Sequence, residues 1–484
     1  MSTAGLRISR RQALGLAAGG ALGAAGLRLA IAPRPGGTAA GASAAGAGGA
    51  WISPLGDARP AAAHLLRRAG LGYGDADLDD AARLSYGDLV DRLLAQRPDP
   101  LPMPTDPSDH RAVVTAWYAH MATTRAPLPE RMTLFWHGVL TSDYRKANRL
   151  PFVYQQNQLF RTRGLGDLRT LLVETTYDPL MMRYLDLDRS VARSPNENYS
   201  RELMELFTLG VGNYSESDVR EAARALSGIR IRAYDAQGTV VALGPAGKDA
   251  AQRQELYAQS AQLIGAGGRF RGDLEPHQHD AGAKTVLGRT GNLGPEDVIE
   301  AILAHPATAS FLARKVLVAF VGPQPDAALV SRIADGFRSS RYDITEMLRA
   351  VFTSDEFLSS SSYRALVRSP ADFMVAAMRA TGRTDLAAAA ALAGQDMDQV
   401  LYDPPTVAGW PSNGAWLSSS ALLARLNFAQ TVAGRAGSLP DPVQGARSQL
   451  DGVVGADTAA VFNAGHSDGD RWYAILASPE FSLK

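Results

Sequence analysis

Ser194-Pro-Asn-Glu-Asn-Tyr-Ser-Arg-Glu-Leu-Met-Glu-Leu-Phe-Thr-Leu-Gly210-Val-Gly-Asn-Tyr-Ser-Glu-Ser-Asp-Val-Arg-Glu-Ala-Ala-Arg-Ala-Leu-Ser-Gly228 is the stretch that decides the fold. It reads as a capped helix, a glycine-rich turn and a second capped helix. On a 3.6-residue spiral Leu203, Leu206 and Phe207 share one face, and Asn198, Glu202 and Glu205 share another. The same helical spacing recurs outward in both directions. It covers 77–84, 86–94, 110–140 with a break at Pro127 to Pro129, 151–162 and 167–185. It resumes over 295–305, 306–320, 325–338, 343–352, 366–382, 385–394 and 418–435. Residues 98–107 and 402–416 are Pro-rich loops, and 436–470 is loop-like. Strand signals are scarce outside 230–290, a Gly-rich, polar, poorly periodic stretch in which Val240-Val-Ala-Leu offers one short strand. The expected fold is therefore mainly α, an irregular multi-helix bundle with a poorly regular insertion near 230–290.

Composition narrows the chemistry. Of 484 residues, 46% are hydrophobic and 20% charged, ordinary for a globular protein. Lys+Arg and Asp+Glu both number 49, so no global field points to nucleic acid or an anionic membrane. The chain has no Cys. That excludes disulfides, thiolate metal sites, a Cys nucleophile and a lipid-anchored Cys, and suits an oxidising compartment.

Arg7-Ile-Ser-Arg10-Arg11-Gln-Ala-Leu-Gly-Leu16 places paired arginines before an Ala/Gly/Leu-rich stretch that runs to Ala32. This is the pattern of a twin-arginine export signal over 1–32. The alternative is a retained anchor, since the length approaches the roughly 20 residues of a membrane span, although Gly and Ala make it weakly apolar. Residues 33–50 form a Gly/Ala linker in which Ala42-Ser-Ala44 offers small residues for cleavage. The mature part, 51–484, is expected to be one large helical domain without a stable membrane span. Its expected location is the periplasm, cell envelope or exterior.

Several residues could carry chemistry. Glu202 and Glu205, at i and i+3, could co-ligate a divalent cation, with Glu197 or Asp186 and Asp188 completing the set. The competing reading is an ion-pair network with Arg220 and Arg224, with Asn196 or Asn198 capping the helix. His137 could be a general base or metal ligand, or a core-edge histidine. His277 and His279 could bind a metal with Asp280; alternatively Asp280 and Lys284 lock a loop. Trp410 and Trp416 could stack on sugar rings, or pack over the core. Serine-hydrolase elbows, phosphate-binding loops and His-Glu-x-x-His are absent, as are paired Glu-x-x-His motifs.

Six blocks together resemble the bacterial family known as domain of unknown function 1800. They begin His64-Leu-Leu-Arg-Arg-Ala-Gly-Leu-Gly, Glu130-Arg-Met-Thr-Leu-Phe-Trp-His-Gly and Asn196-Glu-Asn-Tyr-Ser-Arg-Glu-Leu-Met-Glu-Leu-Phe. The others begin His279-Asp-Ala-Gly-Ala-Lys, His305-Pro-Ala-Thr and Pro404-Pro-Thr-Val-Ala-Gly-Trp-Pro. The resemblance spans nearly everything after residue 55. It implies an exported, mostly helical bacterial protein without an assigned activity, and suggests a sulfatase-like exported partner. Three functions follow as expectations: an accessory or binding protein, a metal-dependent hydrolase of an extracellular or envelope polymer, or a carbohydrate-binding protein.

Overall fold

The Pro127–Val139 helix lies between two hydrophobic cores. Leu128, Met132 and Trp136 enter one, and Leu134 enters the other. The computed structural model describes residues 53–104, 109–147, 149–243 and 249–484. The expected export signal and linker lie outside them. Among the described residues no helix is long and apolar enough to cross a membrane.

The fold is mainly α, as the helical spacing implies. Many helices start where an Asp or Ser side chain accepts a first-turn N–H. Asp167, Asp178, Ser215, Asp326, Asp343, Ser369, Ser418 and Ser467 all do so. The first core gathers the Ala58–Ala69, Leu168–Thr176, Pro306–Phe320 and Ile344–Phe352 helices, among others. The second gathers His110–Thr123, Pro370–Thr381, Ala387–Asp396, Ser419–Ala433 and Asp468–Ala477. A third, small cluster joins Val367, Trp416 and Leu483.

The 230–290 insertion is more regular than its sequence suggests. β1 (Ile229–Tyr234) pairs antiparallel with both β2 (Val240–Val241) and β3 (Arg269–Leu274), in the order β2-β1-β3. A helix, Ala250–Gly265, connects β2 to β3. Its buried positions among the described side chains are Leu256 and Ser260, so it carries almost no apolar stripe for a periodicity argument to find. A hairpin of β4 (Lys284–Val286) and β5 (Arg289–Gly291) follows.

Charged groups are buried in matched sets. Glu130 accepts from Trp117 Nε1 at 2.8 Å and from Arg161 Nη2 at 3.0 Å. Burial alone would raise its pKa, but hydrogen bonds from His120 and Arg161 hold it at about 2. Arg67 meets Asp451 at 2.7 and 2.9 Å. Asp372, inside the buried Pro370–Thr381 helix, accepts from Arg131 and Lys484. The last residues reach this place by running beside 366–368: Arg368 N–H donates to Ser482 at 2.9 Å and Lys484 N–H to Leu366 at 2.8 Å.

Candidate functional site

The Asn196 region is built from short hydrogen-bonded steps. Ser190 Oγ accepts the Asn196 N–H at 3.0 Å, and Asn196 Oδ1 accepts the Asn198 N–H at 2.9 Å. Asn196 therefore caps a helix that opens at Asn198. That helix is α only as far as Glu202; Leu203–Thr208 is a π-helix, in which Leu209 N–H reaches back to Met204 at 2.8 Å. Tyr199, Leu203, Met204 and Phe207 are buried. The sequence reading carried one 3.6-residue spiral through Glu205, and the wider turn breaks that phase. Such turns are rare and often mark functional segments.

The expected pairing of Glu202 and Glu205 with Arg220 and Arg224 is not the arrangement found. Arg201 bridges Glu197 (3.2 Å) and Glu216 (2.8 Å). Arg224 bridges Glu221 (2.7 Å) and Asp280 (2.7 Å). Glu205 accepts the Tyr214 hydroxyl. Glu202 stays half-buried, its carboxyl raised by burial and then by the neighbouring Glu205. Arg220 is exposed. Asp186 pairs with Lys146 (2.7 Å) and Asp188 with Arg183 (3.1 Å). The Arg201–Glu197 spacing of i, i+4 was readable from sequence. The Tyr214 and Asp280 partners depend on chain reversals that spacing does not encode.

His279 and Asp280 belong to a tied loop. His279 Nδ1 lies 3.0 Å from the Ser227 carbonyl, and Asp280 N–H donates to Ser227 Oγ at 3.0 Å. Arg224 lowers the Asp280 carboxyl through its hydrogen bond. Lys284, rather than pairing with Asp280, is buried and donates to the Gly282 carbonyl at 2.9 Å and Asn292 at 3.3 Å. Gly228 makes this approach possible. Its φ is +87°, and a Cβ there would sit 2.7 Å from His279 N. His277 is exposed beside Glu275, at 3.7 Å. Among the described residues no three His, Cys, Asp or Glu side chains gather to hold a metal. Glu202, Glu205, His279 and Asp280 thus form no such group.

His137 is buried, and its Nε2 accepts the Tyr402 N–H at 3.0 Å. Burial lowers its pKa to about 3, so the ring is neutral and Nδ1 carries the proton. Trp410 leans on this ring, with centroids 5.0 Å apart, and is half-buried. Trp416 is only 4% exposed and packs against Val367 and Leu483, so its ring is not presented for stacking on a sugar.

One feature lies beyond these partners. Gly210 (φ +82°) and Gly212 (φ +86°) hold Val211 out between them, 77% exposed. Asn213 Nδ2 ties the base of the turn to the Leu209 carbonyl at 3.0 Å.

A family model described as "Protein of unknown function (DUF1800)" matches residues 64–483. The chain belongs to the DUF1800 family. No curated protein and no solved structure matches it. Within this DUF1800 fold the sequence blocks meet in pairs. The His64 block brings Arg68 toward Arg131 of the Glu130 block; the Glu130 block brings His137 to the loop of the Pro404 block. The helix pair opened by the Asn196 block holds the His279 turn through Arg224.

Proposed function

We propose that this DUF1800 protein is an exported binding protein of the cell envelope or exterior, acting with a secreted partner for which the family resemblance suggests a sulfatase-like protein. The observation that supports this reading is Val211, 77% exposed between two left-handed glycines directly after the π-helix that carries Glu205. Most of the charged groups of this helix pair serve internal pairs, whereas Val211 presents an exposed apolar side chain and Glu202, earlier on the same helix, stays half-buried. Apolar contact ringed by charge is the usual make-up of a protein-binding patch. The test is a photo-crosslinking residue at Val211, with Val461, also exposed, as the control. In envelope fractions of the native host, a discrete adduct with a sulfatase-like protein from position 211 alone is expected, weakened by Glu202→Lys. Equal products from both positions, or none from 211, would sink the reading.

A metal-dependent hydrolase of an extracellular or envelope polymer remains the second reading, favoured by the like-charged Glu202–Glu205 pair. Elemental mass spectrometry of protein purified without chelator separates the two. Stoichiometric metal lost in folded Glu202→Ala protein would favour the hydrolase. The carbohydrate-binding alternative now rests on Trp410.

A further inference from the structure

Five cationic side chains lie within electrostatic reach of the one carboxylate of Asp372: Arg68, Arg131, Arg368, Arg425 and Lys484. Arg131 and Lys484 donate to its two oxygens. Arg68 is engaged by the carbonyls of Phe320 (3.0 Å), Val321 (3.2 Å) and Ser362. Arg67, close by, has its own carboxylate in Asp451.

Arg368 and Arg425 are left. They are 0% and 2% exposed. Arg425 Nη2 donates to the Arg368 carbonyl at 2.6 Å, but its Nε and Nη1 have no acceptor. The Nε and Nη1 of Arg368 have none either. Their flat faces rest on aromatic rings, Arg368 over Phe481 and Arg425 over Phe373, each at 4.8 Å. Stacking accounts for the faces and leaves the N–H edges unmet. Burial lowers both guanidinium pKa values to about 10, so they keep their protons at neutral pH. Lys484, lowered to about 7 by burial and then Arg131, can shed at most one charge. Burying cationic N–H groups that lack acceptors, with one carboxylate shared among five cations, is strongly unfavourable.

We propose that the Arg368–Arg425 pair binds a small inorganic anion, of the halide or oxyanion class, as a constituent of the folded protein. Guanidinium edges carry paired donors suited to this role. The anion would offset part of the excess and join the 366–369 segment to the Ser419–Ala433 helix.

The experiment uses the purified full chain, exchanged into gluconate and titrated with chloride, bromide, phosphate or sulfate at constant ionic strength. The melting midpoint should be flat below the dissociation constant of the preferred anion and rise by about 2 °C per tenfold above it. Rank order separates halide from oxyanion. Arg425→Met keeps the apolar stem over Phe373 and should abolish the rise. Anomalous diffraction from bromide-exchanged crystals should place a peak within hydrogen-bonding distance of both Nη1 atoms. The proposal is overturned if gluconate acts like the small anions, or if Arg425→Met keeps the full response. Should Arg425→Met fail to fold, the diffraction experiment decides with the unaltered protein: ordered water in place of bromide and phosphate alike ends the idea.

Discussion

Arg224 meets Asp280, 56 residues further along the chain, through hydrogen bonds of 2.7 and 3.2 Å. The pair fastens the Glu216–Ala225 helix to the turn after β3, with both side chains less than a third exposed. Asp280→Asn and Arg224→Met should each destabilise by about 1–2 kcal/mol, with a coupling near 1 kcal/mol in the double variant. Urea unfolding of the four proteins measures it. Additive losses would show that the pair contributes nothing jointly.

Gly228→Ala tests the same junction from the backbone side. The new Cβ meets His279 N at 2.7 Å, in a left-handed conformation that alanine adopts reluctantly. A loss of about 2–4 kcal/mol is expected, together with faster amide exchange over 277–282. Unchanged exchange would mean the loop is held elsewhere.

Three histidines lowered by burial should each withdraw stability as pH falls through the histidine range. Burial lowers His137 to about 3 and His110 to about 4, and places His64 well below its usual value. Each of these stays neutral in the native state while its unfolded counterpart takes up a proton below about pH 6.5, so their stabilisation is present above that pH and lost below it. Asp178 acts in the opposite sense: burial raises it to about 7, so it gains a proton on the native side as pH falls. Asp143, Asp188, Glu202 and Asp403 are raised by burial as well and act with Asp178, so the histidine share between about pH 6.5 and 4 is read by difference, from a histidine variant. His137→Gln, which keeps an acceptor for Tyr402, should reduce the slope by about one proton, or roughly 1.4 kcal/mol per pH unit. An unaltered slope would contradict a neutral native His137.

Trp416 should behave as a core residue. Trp416→Ala is expected to cost about 3–5 kcal/mol. In a variant whose other tryptophans are replaced by Phe, its fluorescence should resist iodide quenching. Ready quenching, or quenching relieved by oligosaccharide, would return it to the ligand-stacking role.

Helices with a cap and one apolar face were legible because burial and local hydrogen bonding repeat at fixed spacing. The Ile344–Phe352 helix, opened by Asp343 and burying Ile344, Met347, Leu348, Val351 and Phe352, is an example. The Ala250–Gly265 helix escaped because it lies against the Leu150–Arg163 helix with few buried positions, Leu256 and Ser260 among the described side chains. β1 carries a short Ile-Arg-Ile-Arg alternation, which the Gly-rich, polar surroundings of the insertion masked. At the site, Asn196 was readable as a cap, since capping is local. The partners of Glu205 and Asp280 were not, since Tyr214 arrives through a glycine turn and Arg224 through a strand crossing. The π-turn has no signature in a hydrophobic pattern at all.

The strand-like contact of 366–368 with 482–484 has a bearing on how the polypeptide comes together after synthesis. Arg68 and Arg131 are among the early residues off the ribosome, yet the helix bearing Asp372 and the lysine that shares it arrive hundreds of residues later. Until they do, two arginines destined for the interior lack the carboxylate that they share. Closing so distant a contact is slow, so completion of this core should wait for synthesis of residues 482–484.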